Sequence, residues 1–233
     1  MYDGVNMLNG VVFDFNGTLF FDSEYHLAAF DALKMEICGE HMDMREMEKT
    51  CAGVPNVEIF RRLSNGRFTQ RECEMYSARK EQMYRDLVMS TPGGAHLCPG
   101  CNELFDYLLD NRIPFTIASA SIKENIDFFV DTFHLEWWLD PSTIVYDDGS
   151  YQDKTEMYIE AFFRLGAIDH QLVFEDSLSG IKGADLAGAR ILAIENPALT
   201  DEFTKYRSII GTITDMSEAL PFVENMRYTN MYD

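Results

Sequence analysis

Separated stretches of this chain carry side chains from which a reaction centre can be built: Asp14 with Asn16 and Gly17, Ser119 to Ser121, Lys154, and Glu175 with Asp176 and Ser177. Carboxylates, an amine and hydroxyls of this kind can hold a hard cation or an anion and can serve as nucleophile or acid–base group. Each also has an ordinary reading. An Asp after a strand is a common turn or helix-cap residue. Glu175-Asp176-Ser177 can cap the helix that follows, with negative charge at its positive end. Ser119 can be a satisfied turn hydroxyl and Lys154 a solvated lysine. The joint reading depends on whether the elements between these residues bring them to one place.

The patterning does so. Short apolar runs, mostly β-branched or aromatic, occur at 11–15, 115–119, 143–146, 172–175, 191–194 and 209–213 and read as buried strands. Helix-period stretches lie between them. Ser121 and Glu124 fit a capping box ahead of Ile126, Phe129 and Phe133, and Tyr158, Ala161, Phe162 and Leu165 make a second stripe. Strands alternating with helices imply an α/β fold, a doubly wound parallel sheet covered on both faces. In such a sheet the site lies outside the carboxyl ends of the strands. That is where Asp14, Ser119 and Glu175-Asp176 fall, with Lys154 opening the helix before the fourth strand. Residues 22–91 break the rhythm: no strand is evident, Leu27, Phe30, Leu33 and Ile37 form one helical stripe, and Thr69 with Glu72 forms another capping box ahead of Cys73, Tyr76, Lys80, Met83 and Leu87. Thr91-Pro-Gly-Gly then reads as a linker. The expected division is a core of 1–21 and 92–233 with an all-helical insert at 22–91.

Composition narrows the function class. With 19 basic against 39 acidic residues the formal net charge is −20, which argues against nucleic acid and against an anionic membrane surface. An anionic small molecule needs local help here, from a metal ion or a few placed cations. The five cysteines are an odd number in a chain of 233 residues, long enough to need no disulfide staples, and no signal peptide or membrane-length apolar run is evident. A soluble, cytoplasmic monomer is the expectation. Cys98-Pro-Gly-Cys101 lacks the second pair that a zinc site requires and follows a Gly-rich linker rather than a strand, so it reads as incidental.

In order along the chain, Asp14-Phe-Asn-Gly-Thr-Leu, Phe115-Thr-Ile-Ala-Ser119, Lys154 and Val173-Phe-Glu175-Asp176-Ser-Leu-Ser-Gly180 resemble the four motifs of the haloacid dehalogenase-like superfamily. Asp22-Ser-Glu-Tyr-His26 and 115–121 are similar to its β-phosphoglucomutase branch. The resemblance implies a Rossmann-like core with a helical cap at 22–91 and magnesium-dependent phosphoryl transfer from a small phosphorylated metabolite, such as a sugar phosphate, through an aspartyl-phosphate on Asp14. It further implies that Asp14, Asp176 and the main-chain carbonyl of Asn16 hold Mg2+ with help from Glu175. Gly17, Thr18, Ser119, the Ala120 N–H and Lys154 bind the phosphoryl group, and His26, Gly53 and Lys80 face the substrate from the cap. Cap closure would exclude water and select the substrate.

One position departs from the family pattern. The phosphatases and mutases carry Asp two residues after the nucleophile, as acid and then base; this chain has Asn16, which can do neither, and such help is typically worth about 10²–10⁴-fold. Slow turnover is therefore expected, unless the leaving group is good, as in an acyl phosphate, or His26 or Glu24 serves instead, or Asn16-Gly17 deamidates. A catalytically silent member that binds a phosphorylated ligand is the rival from another class. The dehalogenase branch uses no magnesium and lacks the Glu-Asp-Ser pattern. The phosphonoacetaldehyde hydrolases need a cap lysine that is not found near 52–56. Asn56 stands where the mutase has an Arg for a second phosphate, which counts against mutase activity. His26 reads either as a cap or core residue or as facing substrate. Lys80 reads either as snorkelling along an apolar face or as reaching the substrate.

Overall fold

The computed structural model describes residues 8–51 and 54–228. It contains two compact units, one formed by the chain up to Phe21 together with the chain from His96 on, the other by Asp22–Ala95.

After the first strand, β1 (Gly10–Phe13), the chain enters the second unit, which is all helix among its described residues: α1 (Ser23–Cys38), α2 (Met44–Cys51), α3 (Asn56–Leu63) and α4 (Gln70–Ser90). Phe30 and Leu33 of α1, Met42, Ile59 and Phe60 of α3 and Cys73 of α4 form its core, with Leu27, Ile37, Tyr76 and Met83 packed at the margin. Both ends of the capping box at 69–72 are made: Thr69 Oγ1 accepts the Glu72 N–H at 3.3 Å and the Glu72 carboxylate accepts the Thr69 N–H at 2.7 Å. This satisfies two amides that a helix start otherwise leaves bare.

The first unit continues with α5 (Cys101–Asp110), β2 (Phe115–Ser119), α6 (Lys123–Phe133), β3 (Val145–Tyr146), α7 (Lys154–Leu165), β4 (Gln171–Glu175), α8 (Leu178–Leu186), β5 (Arg190–Ile194), α9 (Thr200–Phe203), β6 (Ile209–Ile213) and α10 (Leu220–Tyr228). All six strands are parallel, in the order β3-β2-β1-β4-β5-β6. The strand pleat sends alternate residues to opposite faces. Val12, Ala118, Val173 and Ile191 pack with Met157, Tyr158 and Ala161 of α7 and Ile181 and Ala184 of α8. On the other face Phe13 stacks on Phe174 (4.7 Å between ring centroids) and meets Phe105 of α5 edge-on at 5.4 Å. With both faces covered, every β1, β2 and β4 residue is buried, which is why these strands read as unbroken apolar runs. The order reverses between β1 and β4, so their carboxyl ends border the crevice where open sheets of this topology bind ligands.

Three local expectations need correction. The first strand stops at Phe13, because Phe15 leaves the ladder and stacks on Phe129 of α6 at 4.0 Å. The run at 143–146 is a strand only at Val145–Tyr146, since a 3-10 turn at Pro141–Thr143, capped by Asp140, occupies its start. The capping box at 121–124 does not form. Ile122 precedes α6 without a side-chain cap, and the Ser121 hydroxyl is spent on Asn16 instead. At the start of α5 the Cys98 and Cys101 sulfurs lie 3.3 Å apart as free thiols.

Candidate active site

Asp14 is the first residue past β1, and its N–H still donates to Phe174 O of β4 at 3.0 Å, so its position is set by the sheet. The chain then turns tightly. Phe15 O accepts the N–H groups of Thr18, Leu19 and Phe20, and the Gly17 N–H donates to Phe20 O at 2.8 Å. Gly17 has φ +77°, and a Cβ there would lie 2.2 Å from Asp176 Oδ2, so no other residue fits beneath that carboxylate. The same hydrogen bond occupies the nitrogen that would have to attack the Asn16 amide in a deamidation. Buried Thr18 donates its hydroxyl to Asp176 Oδ1 at 3.4 Å.

Glu175 ends β4 fully buried. Its Oε1 accepts from Tyr158 OH at 3.0 Å and from Lys154 Nζ at 3.2 Å, and its Oε2 accepts the Ser177 N–H at 2.6 Å. Ser177 in turn caps α8 by accepting the Gly180 N–H at 3.1 Å. Lys154 is the first residue of α7, where Asp153 caps the helix through the Thr155 N–H at 2.8 Å. Its ammonium donates to Asp14 Oδ1 and Glu175 Oε1 and lies 5.6 Å from the Tyr158 ring centroid. Ser119, buried at the end of β2, points its hydroxyl to Asn16 Oδ1 at 3.4 Å. Ser121 donates to the same oxygen at 2.7 Å. Ala120 between them is exposed.

The pattern residues of the core unit are thus brought together. Asp14, Glu175 and Asp176 each offer an oxygen within 4.8 Å of the others. Burial pushes the Asp14 carboxyl up to about 7, with Glu175 adding to the rise and Lys154 opposing it. Burial followed by the Glu175 and Asp14 charges pushes Asp176 well above the usual carboxylate range. Burial acts to lower the Lys154 ammonium, but Asp14 and Glu175 together outweigh it and hold the group charged. Three carboxylates around one ammonium leave negative charge in excess, and all the donors are oxygens, which is the chemistry that a hard divalent cation fits. One member of the network escaped the sequence reading: Tyr158 looked like one more apolar position of the α7 stripe, although its place four residues after Lys154 puts it on the same helix face. Ser121 fell within the candidate stretch 119–121, but its capping pattern pointed to α6 and not to Asn16.

In the helical insert His26 and Lys80 meet each other. Lys80 Nζ donates to His26 Nδ1 at 2.7 Å and to Glu81 Oε1 at 2.9 Å, while His26 Nε2 faces Asp22 Oδ2 at 3.3 Å. Tyr84 OH donates to the same Asp22 oxygen at 2.6 Å, and its ring stacks on His26 at 4.2 Å. Lys80 does not snorkel: it is 3% exposed, because its ammonium has these partners inside the insert. Gly53 lies outside the described residues.

The haloacid dehalogenase-like hydrolase pattern matches residues 11–194. A crystal structure of a family IA, variant 3 HAD hydrolase from Entamoeba histolytica superposes with a TM-score of 0.84 at 30% identity, covering 94% of this chain and 99% of that one. A β-phosphoglucomutase from Clostridium difficile shares the fold, with a TM-score of 0.76 at 16% identity over 94% of this chain and 97% of its own. Protein CbbY of Rhodobacter capsulatus is 28% identical over 194 residues, 79% of this chain and 84% of that protein. With Asp14, Lys154, Glu175 and Asp176 clustered at the switch point of its parallel sheet and these relatives, the chain belongs to the haloacid dehalogenase-like hydrolases.

Proposed function

We propose that this enzyme is a magnesium-dependent phosphatase that transfers a phosphoryl group from a small phosphorylated metabolite, a sugar phosphate being one kind, to Asp14 and then to water. The observation that carries the reading is the Asp14–Lys154–Glu175 contact chain at the adjoining carboxyl ends of β1 and β4. Asp14 attacks phosphorus, splitting one difficult displacement into two easier ones. Lys154 keeps the Asp14 carboxylate aimed and balances charge on the phosphoryl oxygens. Glu175, held by Tyr158 and the Ser177 N–H, fixes Lys154 from behind. Ser119, Thr18 and the main-chain N–H of Ala120 bind phosphoryl oxygens, and Gly17, whose own N–H is given to Phe20 O, lets the backbone turn closely beneath them. Asp14, Asp176 and the Asn16 carbonyl would hold Mg2+, assisted by Glu175; the ion would supply the positive charge that lets two anions meet. His26, Gly53 and Lys80 of the insert would select the substrate.

No helix among the described residues is long and apolar enough to cross a membrane, and the five cysteines are free; we place the enzyme in a reducing compartment such as the cytoplasm, as a monomer. The test is phosphate release, with magnesium, from a panel of sugar, acyl and aryl phosphates by the parent and by Asp14→Ala. Release by the parent alone supports the reading; equal release by both sinks it. A second reading, a binder that turns over little, is favoured by Asn16, whose amide oxygen takes the Ser121 hydroxyl. It predicts tight, magnesium-dependent ligand binding without release.

A further inference from the structure

The side chains around Asp14 in the core unit restrict the kind of bond that can be broken there. Asn16 can donate a hydrogen bond but cannot release a proton near neutral pH. The Ser119 and Ser121 hydroxyls point at the Asn16 amide oxygen, 3.4 and 2.7 Å away. Tyr158 is fully buried with its O–H given to Glu175 at 3.0 Å. Lys154 is held between Asp14 and Glu175. Glu175 takes hydrogen bonds on both oxygens, from Lys154 and Tyr158 on one and from the Ser177 N–H on the other, so it sits as an acceptor. In the helical insert, His26 has one ring nitrogen on Lys80 at 2.7 Å and the other facing Asp22 at 3.3 Å. Asp176 is given to Mg2+ in the reading above, and among the other described residues of the core-unit network none is placed to protonate a departing alkoxide.

We propose that the substrates of this site are phosphoryl compounds whose leaving group departs as a stable anion without a proton, acyl phosphates foremost. This rests on the phosphoryl-transfer reading above and narrows it. In the first step an Asp14 oxygen bonds to phosphorus while the bond from phosphorus to the acyl oxygen breaks. The electron pair of that bond leaves on a carboxylate, and no proton moves. In the second step water bonds to phosphorus, the bond to Asp14 breaks with its electron pair returning to the carboxylate, and both hydrogens of the water leave on the released phosphate. A carboxylic acid has a pKa of about 4 and a phenol about 10, and an alcohol, like water, lies far above both. Because phosphoryl transfer passes through a loose transition state with charge building on the leaving oxygen, an unassisted site should discriminate steeply along that series.

The experiment measures kcat/KM with magnesium for acetyl phosphate, nitro-substituted phenyl phosphates, phenyl phosphate and glycerol phosphate in the parent, Asn16→Asp and Asp14→Ala. The expected result is a parent whose rates fall steeply as leaving-group pKa rises. Asn16→Asp should gain about 10²–10⁴-fold on glycerol phosphate and little on acetyl phosphate, and Asp14→Ala should be inert. A parent with equal rates along the series, and an inert Asp14→Ala, overturns the proposal and leaves the phosphoryl-transfer reading standing. A parent inert to acetyl phosphate while Asn16→Asp turns it over overturns it too. If Asp14→Ala matches the parent, or neither the parent nor Asn16→Asp releases phosphate from any compound, the underlying reading falls and the substrate proposal falls with it.

Discussion

In the absence of divalent ions, the stability of the protein should fall as pH rises through neutrality, and magnesium should remove most of that slope. Asp14 ionises near 3.8 in an unfolded chain and is pushed up to about 7 in the folded one, burial being the main cause and Glu175 adding to it. Between these values the native protein holds a proton that the unfolded chain has released. Stability therefore declines as pH rises across the window, and the loss is complete above about 7. From about pH 5 to about pH 8 roughly two pH units of the window are crossed, and at about 1.4 kcal/mol each they amount to about 3 kcal/mol. For a chain of this length that is a fall in Tm of about 6–12 °C. Asp176, raised by the same burial and by both neighbouring carboxylates, acts in the same direction. Magnesium at about 100 times its Kd should return about 2.7 kcal/mol at the alkaline end. The assay is thermal unfolding in EDTA and in magnesium, for the parent and for Asp14→Asn, whose neutral amide should abolish this part of the slope. A parent slope in EDTA equal to that of Asp14→Asn would refute the electrostatic account, as would a magnesium effect that survives in Asp176→Asn.

Gly180→Ala sets two effects against each other. Ala favours helix by about 0.5–1 kcal/mol, but a Cβ would stand 1.5 Å from Glu175 Oε1, and overpacking costs about 1–3 kcal/mol. A lower urea midpoint and slower phosphate release are expected; a raised midpoint would mean that Glu175 is not seated over α8. In an Asn16→Asp background, the Ser121 hydroxyl should favour the ionised carboxylate. Adding Ser121→Ala should therefore move the pH limb assigned to residue 16 upward, whereas an unmoved limb would mean that the 2.7 Å contact is absent in the working enzyme. Thr69→Ala removes the cap of α4 and should lower stability by about 1 kcal/mol in urea titrations, with no change in the leaving-group dependence of catalysis.

The sheet was legible because its strands are buried on both faces. An unbroken run such as Phe115–Ser119 has no other use in a chain of this length, and the polar residues directly after each run mark the strand ends. The α4 start was legible because a capping box is a local device. The box at 121–124 failed for the opposite reason: the pattern is local, but Ser121 is claimed by Asn16, 105 residues away in sequence. Tyr158 failed likewise. An aromatic on an apolar stripe gives no sign that its hydroxyl will find a carboxylate arriving from another strand. Lys80 was ambiguous because periodicity says which face a side chain takes and nothing about the Glu81 and His26 partners that let an ammonium stay there.

The most direct test of the central claim is to find the phosphoryl group on the protein. The parent is mixed with acetyl phosphate and magnesium and quenched in acid, and the peptide containing Asp14 is examined by mass spectrometry, with Asp14→Ala as control. The account predicts one phosphoryl group on Asp14 in the parent and none in the control, with the label lost as inorganic phosphate appears. Phosphorylation at another residue, or turnover without any label at Asp14, would contradict it.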